Sequence, residues 1–439
     1  MTNQRDLIVI GSGPGGYPAA AAAAARGEKV ILIERGEPGG TCLNRGCIPT
    51  KCLARTAEVA LTVGSAAEFG IDTAGTPVID YARAVERKDG VVAGLREGVR
   101  GVLAGVEVIT GEARMAGADP LTVAVGDDLY TAPRVIIATG SEPARLPVPG
   151  ADLAMTSDEI LSLRVLPASL AVIGGGVIGL EFASIFAALG VSVTVLEYCK
   201  EVLPPFDAEI AKRLRMALKK RGVNIIVGAQ VTGIREGLEV DYTAKGKTSF
   251  VAAEAVLMAV GRKPVVPAGL DTIPGVEVTR RGITVDPQTM LTGCPGLYAV
   301  GDVNGICQLA HAATAQGLRA IGENVDLEPV PAVVFTVPEA AMTGMTEQQA
   351  IDAGYDVKIG KATFRSNGKA LAEGDPEGMV KTVIDAKTGR ILGAHILGLH
   401  AADLIHELSL AITAGVTADQ IHRAVHAHPT LAETVAHAL

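Results

Sequence analysis

The chain has 439 residues, 52 of them glycine, with 39 Lys and Arg against 48 Asp and Glu and a net charge of −9. That length holds about three domains. The acidic balance and the 3% aromatic content, with no Trp, exclude a basic, base-stacking nucleic-acid binder, and six cysteines in a chain 48% hydrophobic describe a globular protein rather than a disulfide scaffold.

The first element is an uncharged run of 19 residues, Leu7 to Ala25, flanked by Asp6 and Arg26. It approaches membrane-spanning length, but Gly11, Gly13, Pro14, Gly15, Gly16 and Pro18 interrupt it, and it lacks a signal peptide's positive start. The expectation is a cytoplasmic protein. The run reads as a strand, a glycine turn and an Ala-rich helix; Lys29–Ile33 follows as a second strand, ending at Glu34.

The same sentence is written twice. Leu7–Gly16 matches Leu170–Gly179, and Lys29–Glu34 matches Ser192–Glu197, at one offset of 163 residues (174 minus 11). Both copies carry G-x-G-x-x-G, as Gly11, Gly13 and Gly16 and as Gly174, Gly176 and Gly179, with an acid 18 residues beyond the third glycine. Glycines in that pattern let backbone reach a pyrophosphate at a helix N-terminus, and the carboxylate receives a ribose diol. Two copies in register predict two bound dinucleotides. Glu197 repels a 2′-phosphate, and only Lys200 offers a cation before Phe206, so the second favours NAD over NADP.

Between the copies lies Gly39-Gly40-Thr41-Cys42-Leu-Asn-Arg-Gly-Cys47-Ile-Pro-Thr-Lys51. Two cysteines five apart at a helix start can close a small redox-active ring. Lys51, a helical turn after Cys47, can stabilise a thiolate. Ala138-Thr139-Gly140 and Ala259-Val-Gly261-Arg262 each end an apolar strand (135–138 and 255–260) and read as exits from one nucleotide domain to another, beside Pro-rich linkers at 143–149 and 264–267. Leu297–Asp302 closes a further strand before a helix from about 310 to 324. Beyond Pro329 and Pro331 the pattern changes to antiparallel strands at 380–384 and 391–397, then helices at 401–415 and from 418 to the end. In the tail, Glu433 follows His428-Pro429 at a distance able to hold an imidazole tautomer, a base–orienter arrangement. His426 stands second to His428, in a supporting place. Cys52, Cys199, Cys294 and Cys307 read as small buried hydrophobes, and His311 as a packing residue.

These motifs resemble the pyridine nucleotide–disulfide oxidoreductase family of flavoproteins across essentially the whole chain: the Gly11 fingerprint, Gly39–Lys51, the Gly174 fingerprint with Glu181, Gly301-Asp302, and His426-Ala-His428-Pro-Thr-Leu-Ala-Glu433. The resemblance implies an α/β fold with two Rossmann-like dinucleotide-binding domains, for FAD and NAD, plus a C-terminal α+β dimerisation domain. The boundaries would be 1–147 and 267–330 for FAD, 148–266 for NAD and 331–439 for dimerisation. It implies FAD held by Gly11, Gly13, Pro14, Gly15, Gly16, Glu34, Gly40, Thr41, Lys51, Ala138, Thr139, Gly140, Gly301 and Asp302. NAD would be held by Gly174, Gly176, Val177, Gly179, Glu197 and Gly261. Lys51 and Glu181 would pair near the flavin, and His428, oriented by Glu433, would serve Cys42 of a second subunit, making a homodimer. Within the family the likeness is greatest to enzymes that reoxidise dihydrolipoyl groups on a lipoylated carrier in trans and reduce NAD+; no residue set is assigned to a metal. An NADPH-dependent reductase of another small disulfide, or a docking subunit of a multienzyme complex, remain the alternatives. Gln316-Gly317, where relatives often carry Glu-Gly, departs from the pattern without touching the assigned chemistry.

Overall fold

A computed structural model describes residues 3–73, 75 and 78–439. The chain forms two compact units, one of residues 1–52, 83–144 and 261–327, the other of 53–82, 145–260 and 328–439. Among the described residues no helix is long and apolar enough to cross a membrane.

The first unit is built on five parallel strands in the order Leu297–Ala299, Arg134–Ile137, Leu7–Ile10, Val30–Glu34 and Glu107–Thr110. Leu7–Ile10 is buried at every position, as a strand covered on both faces must be. Its odd and even side chains feed two different cores, Leu7 and Val9 one, Ile8 and Ile10 the other. The helix Tyr17–Ala25 follows, with Pro18 in its first turn, where a missing N–H costs little. Its alanines are small enough for a neighbouring helix, Ala310–Ala320, to come close: a Cβ on Gly317 would stand 2.2 Å from the Gly15 carbonyl oxygen. A four-stranded sheet, Asn3–Gln4, Asp128–Thr131, Leu121–Val125 and Ala113–Ala118, completes the unit.

In the second unit the parallel strands run Asn224–Val227, Ser192–Glu197, Ser169–Ile173 and Ala255–Met258, joined by the helix Val177–Ala188. The tail supplies a five-stranded antiparallel sheet in the order Ala332–Val334, Glu339–Gly344, Ile391–Gly398, Met379–Asp385 and Val357–Thr363. The helix Ala401–Thr413 buries Ile405, Leu408 and Ala411 in the core beneath this sheet.

Four expectations about elements are corrected. The helix expected over 310–324 stops at Ala320, and Gly322 turns with φ +90°. The helix expected from 401 to 415 stops at Thr413, with Gly415 at φ +67°. Cys42 and Cys47 do not share one helix start: Gly40–Arg45 and Cys47–Gly64 are separate helices with Gly46 between them. The last helix is broken into Ala418–His422 and Glu433–His437, because Pro429 lacks an N–H and drives the residue before it out of the helical region. His428 therefore lies on an irregular segment between the two, and the helix resumes only at Glu433.

Candidate active site

The two fingerprints repeat down to single hydrogen bonds. Gly11 has φ +102° and Gly174 φ +108°, conformations an L side chain resists. A Cβ on either would stand 2.4 or 2.3 Å from the carbonyl oxygen of Ala138 or Ala259. In the first copy Glu34 accepts from Ser12 N–H at 2.8 Å and Gly36 N–H at 2.7 Å. In the second, Glu197 accepts from Gly175 N–H and from Cys199 N–H, the latter at 2.6 Å. Each pair is shifted by the same 163 residues, so the acid closes the glycine loop from the next strand. A carboxylate offers about four acceptor positions, which leaves both acids room for ribose hydroxyls. Opposite the first loop, Gly40 backs onto Gly13, where a Cβ would lie 2.5 Å from the Gly13 Cα. This is a cradle of bare backbone that fits a pyrophosphate.

The exits of the first unit meet each other. Ser141–Pro143 pairs antiparallel with Arg262–Pro264, Thr139 Oγ1 donates to the Val265 carbonyl at 2.5 Å, and Val265 N–H donates to the Gly140 carbonyl. Gly261, with φ +110°, accepts from Ala144 N–H. This ribbon carries Ser141, whose hydroxyl donates to Asp302, and Arg262, whose Nε donates to Ser141 Oγ at 2.7 Å and stands 3.9 Å from Asp302. Behind Asp302, buried Gln316 accepts from Gly301 N–H at 2.7 Å and from Asn304 Nδ2 at 2.9 Å. Gln316 thus touches an assigned cofactor residue, contrary to expectation: its neutral amide anchors the turn from within. Sequence reasoning missed Ser141 and gave Arg262 no role beyond ending its motif, because the pairing of the two exits is a long-range event.

Cys42 and Cys47 stand as a pair of thiols. The helix break at Gly46 makes this possible, since a Cβ there would meet the Thr41 carbonyl oxygen at 2.9 Å and the Cys42 Cα at 3.2 Å. The hydrogen bond to Cys47 is the largest cause holding the Cys42 thiol far above its ordinary range; burial and the charge of Cys47 add to it, and Lys51 opposes it. Cys42 therefore keeps its proton. Lys51 sits one turn beyond Cys47 on the same helix.

Among the remaining cysteines, Cys294 is buried as expected, Cys52 and Cys307 are half-buried, and Cys199 is exposed. Cys199 lies two residues after buried Glu197 and donates its backbone N–H to that carboxylate. His311 is also exposed.

In the second unit Glu181 is buried on the helix Val177–Ala188 and accepts from Phe335 N–H at 3.0 Å. Val177 is the first residue of that helix. His428 Nδ1 lies 2.9 Å from Glu433 Oε1, while Glu433 Oε2 accepts from Thr430 N–H at 2.9 Å. The Thr430 amide is the largest cause holding the Glu433 carboxyl below its usual range, ahead of His428. The His428 side chain is 79% exposed, so its outer nitrogen is open to an incoming molecule.

Residues 5–317 match the family described as pyridine nucleotide-disulphide oxidoreductase, and residues 330–439 match that family's dimerisation domain. The chain is similar to dihydrolipoyl dehydrogenase of Geobacillus stearothermophilus, 42% identical over 98% of this chain and 94% of the relative. It is 38% identical to dihydrolipoyl dehydrogenase of Bacillus subtilis over 100% and 98%. The fold is shared with the solved HOCl-induced flavoprotein disulfide reductase RclA from Escherichia coli, at 30% identity and a TM-score of 0.85, covering 98% of each chain. A thiol pair at a helix break, two glycine cradles closed by acids and full-length relatives of one kind lead to one conclusion: the chain belongs to the pyridine nucleotide-disulphide oxidoreductase family, whose members are FAD- and NAD(P)-dependent enzymes.

Proposed function

We propose that the protein oxidises dihydrolipoyl groups on a carrier supplied in trans and reduces NAD+ to NADH. The observation that carries this reading is the Cys42–Cys47 thiol pair, closed across the helix break at Gly46 with Lys51 one turn beyond Cys47, in a chain that also holds the His428–Glu433 dyad. Full-length relatives at 38% and 42% identity bear the name of that activity. The match of residues 330–439 to a dimerisation domain supports a homodimer in which His428 serves Cys42 of a second copy.

His428 Nε2 takes the proton of one substrate thiol, while Glu433 keeps the other ring proton on Nδ1. The substrate thiolate attacks Cys42 Sγ, the Cys42–Cys47 bond breaks and Cys47 leaves as thiolate. The second substrate thiol then displaces Cys42 from the mixed disulfide; its proton goes to Cys42, and the substrate departs as its cyclic disulfide. Two electrons and two protons have left the substrate, the protons resting on His428 and Cys42, the charge on Cys47 facing Lys51. The Gly11–Gly16 loop, Glu34, Gly40, Thr41, Ala138–Gly140, Gly301 and Asp302 would hold FAD, whose chemistry when bound would be two-electron transfer between the thiol pair and the nicotinamide. The Gly174–Gly179 loop, Val177, Gly261 and Glu197 receive NAD+, with Glu197 disfavouring a 2′-phosphate.

A paired assay on purified flavoprotein tests this: NAD+ reduction by dihydrolipoamide against NADPH oxidation by glutathione disulfide. NAD+ reduction that vanishes in Cys47→Ser and falls steeply in His428→Gln is the expected result. NADPH-driven reduction of a disulfide, with dihydrolipoamide inert, would overturn it and favour the alternative reductase.

A further inference from the structure

The segment that carries His428 has little apolar packing to hold it. From His422 to Pro429 every residue is exposed except His426, and Val425 is 99% exposed. No helix or strand covers 423–432. His426 instead turns inward to the helix Ala401–Thr413, where its Nε2 lies 3.1 Å from Glu407 Oε1 and its side chain is 14% exposed. Its Nδ1 lies 3.1 Å from the Ala424 carbonyl oxygen. Both ring nitrogens therefore face oxygen acceptors.

We propose that His426 and Glu407 form a second histidine–glutamate pair, whose work is to fix the backbone from which His428 reaches the dithiol. This deepens the functional reading above and rests on it. On the C-terminal side the same segment is tied by Thr430, whose hydroxyl donates to the Ala427 carbonyl at 2.7 Å and whose own carbonyl accepts from Asn367 Nδ2 at 2.9 Å. The His426 tie secures the opposite side. A base two residues from its anchor, with an exposed ring, inherits its position from that anchor, and displacements of about 1 Å cost on the order of a hundredfold in rate. His426 and Glu407 are positioning residues: they touch neither substrate nor cofactor.

The test compares His426→Leu, His426→Gln and Glu407→Leu with His428→Gln in the full-length flavoprotein. Two half-reactions are read separately, oxidation of dihydrolipoamide and transfer from NADH to ferricyanide, an acceptor that does not need the dithiol base. The expected result is a roughly tenfold fall in kcat for dihydrolipoamide in His426→Leu and Glu407→Leu, with KM little changed and no deeper loss in the double variant. His426→Gln, which keeps a donor toward Glu407, recovers part of that rate. Adding His426→Leu to His428→Gln costs nothing more. Full dithiol activity in His426→Leu, equal losses in both half-reactions, or a further loss in the His428→Gln background would each overturn the inference alone. A dithiol activity that His428→Gln leaves intact would overturn the functional reading and the inference together.

Discussion

A histidine with an exposed ring has only its own hydrogen bonds to decide which nitrogen carries the proton. For His428 that decision is made at Nδ1, 2.9 Å from Glu433. The sign of the carboxyl's shift matters for pH: Glu433 is held below its ordinary range, first by the Thr430 amide and then by His428. The ionised carboxylate is thus present above the usual carboxylate range and lost only as pH falls through the lowered value. Through mild acid the Glu433 carboxylate therefore stays charged. Glu433→Gln should lower the plateau of kcat for dihydrolipoamide by about 10- to 100-fold, measured across pH 5.5–9, and leave transfer from NADH to ferricyanide intact. An unchanged plateau would remove Glu433 from the mechanism. At this scale much was legible in advance, because acid–base pairs and glycine fingerprints are local patterns with fixed spacing. Gln316, Ser141 and Glu407 were not legible. Their roles come from partners 15, 161 and 19 residues away, and residue type alone does not distinguish an anchoring amide from a surface one.

Secondary structure around the thiols turns on one position. Gly46 has φ −141° and ψ −111°, outside the left-handed region, so what its glycine supplies is the room left by a missing Cβ. That bare Cα lets the start of the helix Cys47–Gly64 close on the helix Gly40–Arg45, and it brings Cys47 against Cys42. Gly46→Ala inserts a methyl 2.9 Å from a carbonyl oxygen that belongs to rigid backbone. The helices must part by a few tenths of an ångström, which should disfavour closure of the disulfide and raise its reduction potential. The measurement is equilibration of the Cys42–Cys47 couple against a thiol buffer, with fold checked by far-UV dichroism. A potential equal to wild type would show that the two helices adjust freely. The sequence reading placed both cysteines on one helix because the hydrophobic and spacing signals run on through Gly46, and a single mid-pattern glycine is an ambiguous stop. The tail helix failed for a related reason. The pattern runs on through Pro429 to the chain end, yet a proline keeps the residue before it out of the helical region; the chain is irregular from 423 to 432, and His428 stands exposed in that stretch.

Over the whole molecule, segments distant in sequence are held together by groups that no local pattern advertises. Lys381, 3% exposed on the central sheet of the tail, donates to Asp207 at 2.8 Å and to Glu347 at 2.7 Å. Asp207 also caps the helix Ala208–Lys220 of the nucleotide-binding segment. Burial pushes the Asp207 carboxyl up, but the bond from Lys381 and the nearby charges outweigh it, and the net shift is downward. Removing Lys381 strands a buried carboxylate, a loss of about 3–5 kcal/mol in comparable pairs. Lys381→Met should therefore lower the midpoint of thermal unfolding sharply, and Asp207→Asn in the same chain should recover part of it; no recovery would mean that packing, not charge, sets the loss. The duplicated nucleotide-binding halves were legible from the sequence at this scale, because a repeat is a global signal. Which subunit's base meets which thiol pair is a property of the assembly, and mixing subunits decides it. Cys47→Ser and His428→Gln homodimers should each be inactive or nearly so. If His428 serves the thiol pair of the other copy, a heterodimer of the two variants has one site with both parts intact and one with neither. Random exchange makes about half the dimers mixed, so activity should recover to about a quarter of wild type. If base and thiols of one chain work together, every site in the mixture lacks one part and no activity returns. The size of the recovery thus reads out the architecture of the site directly.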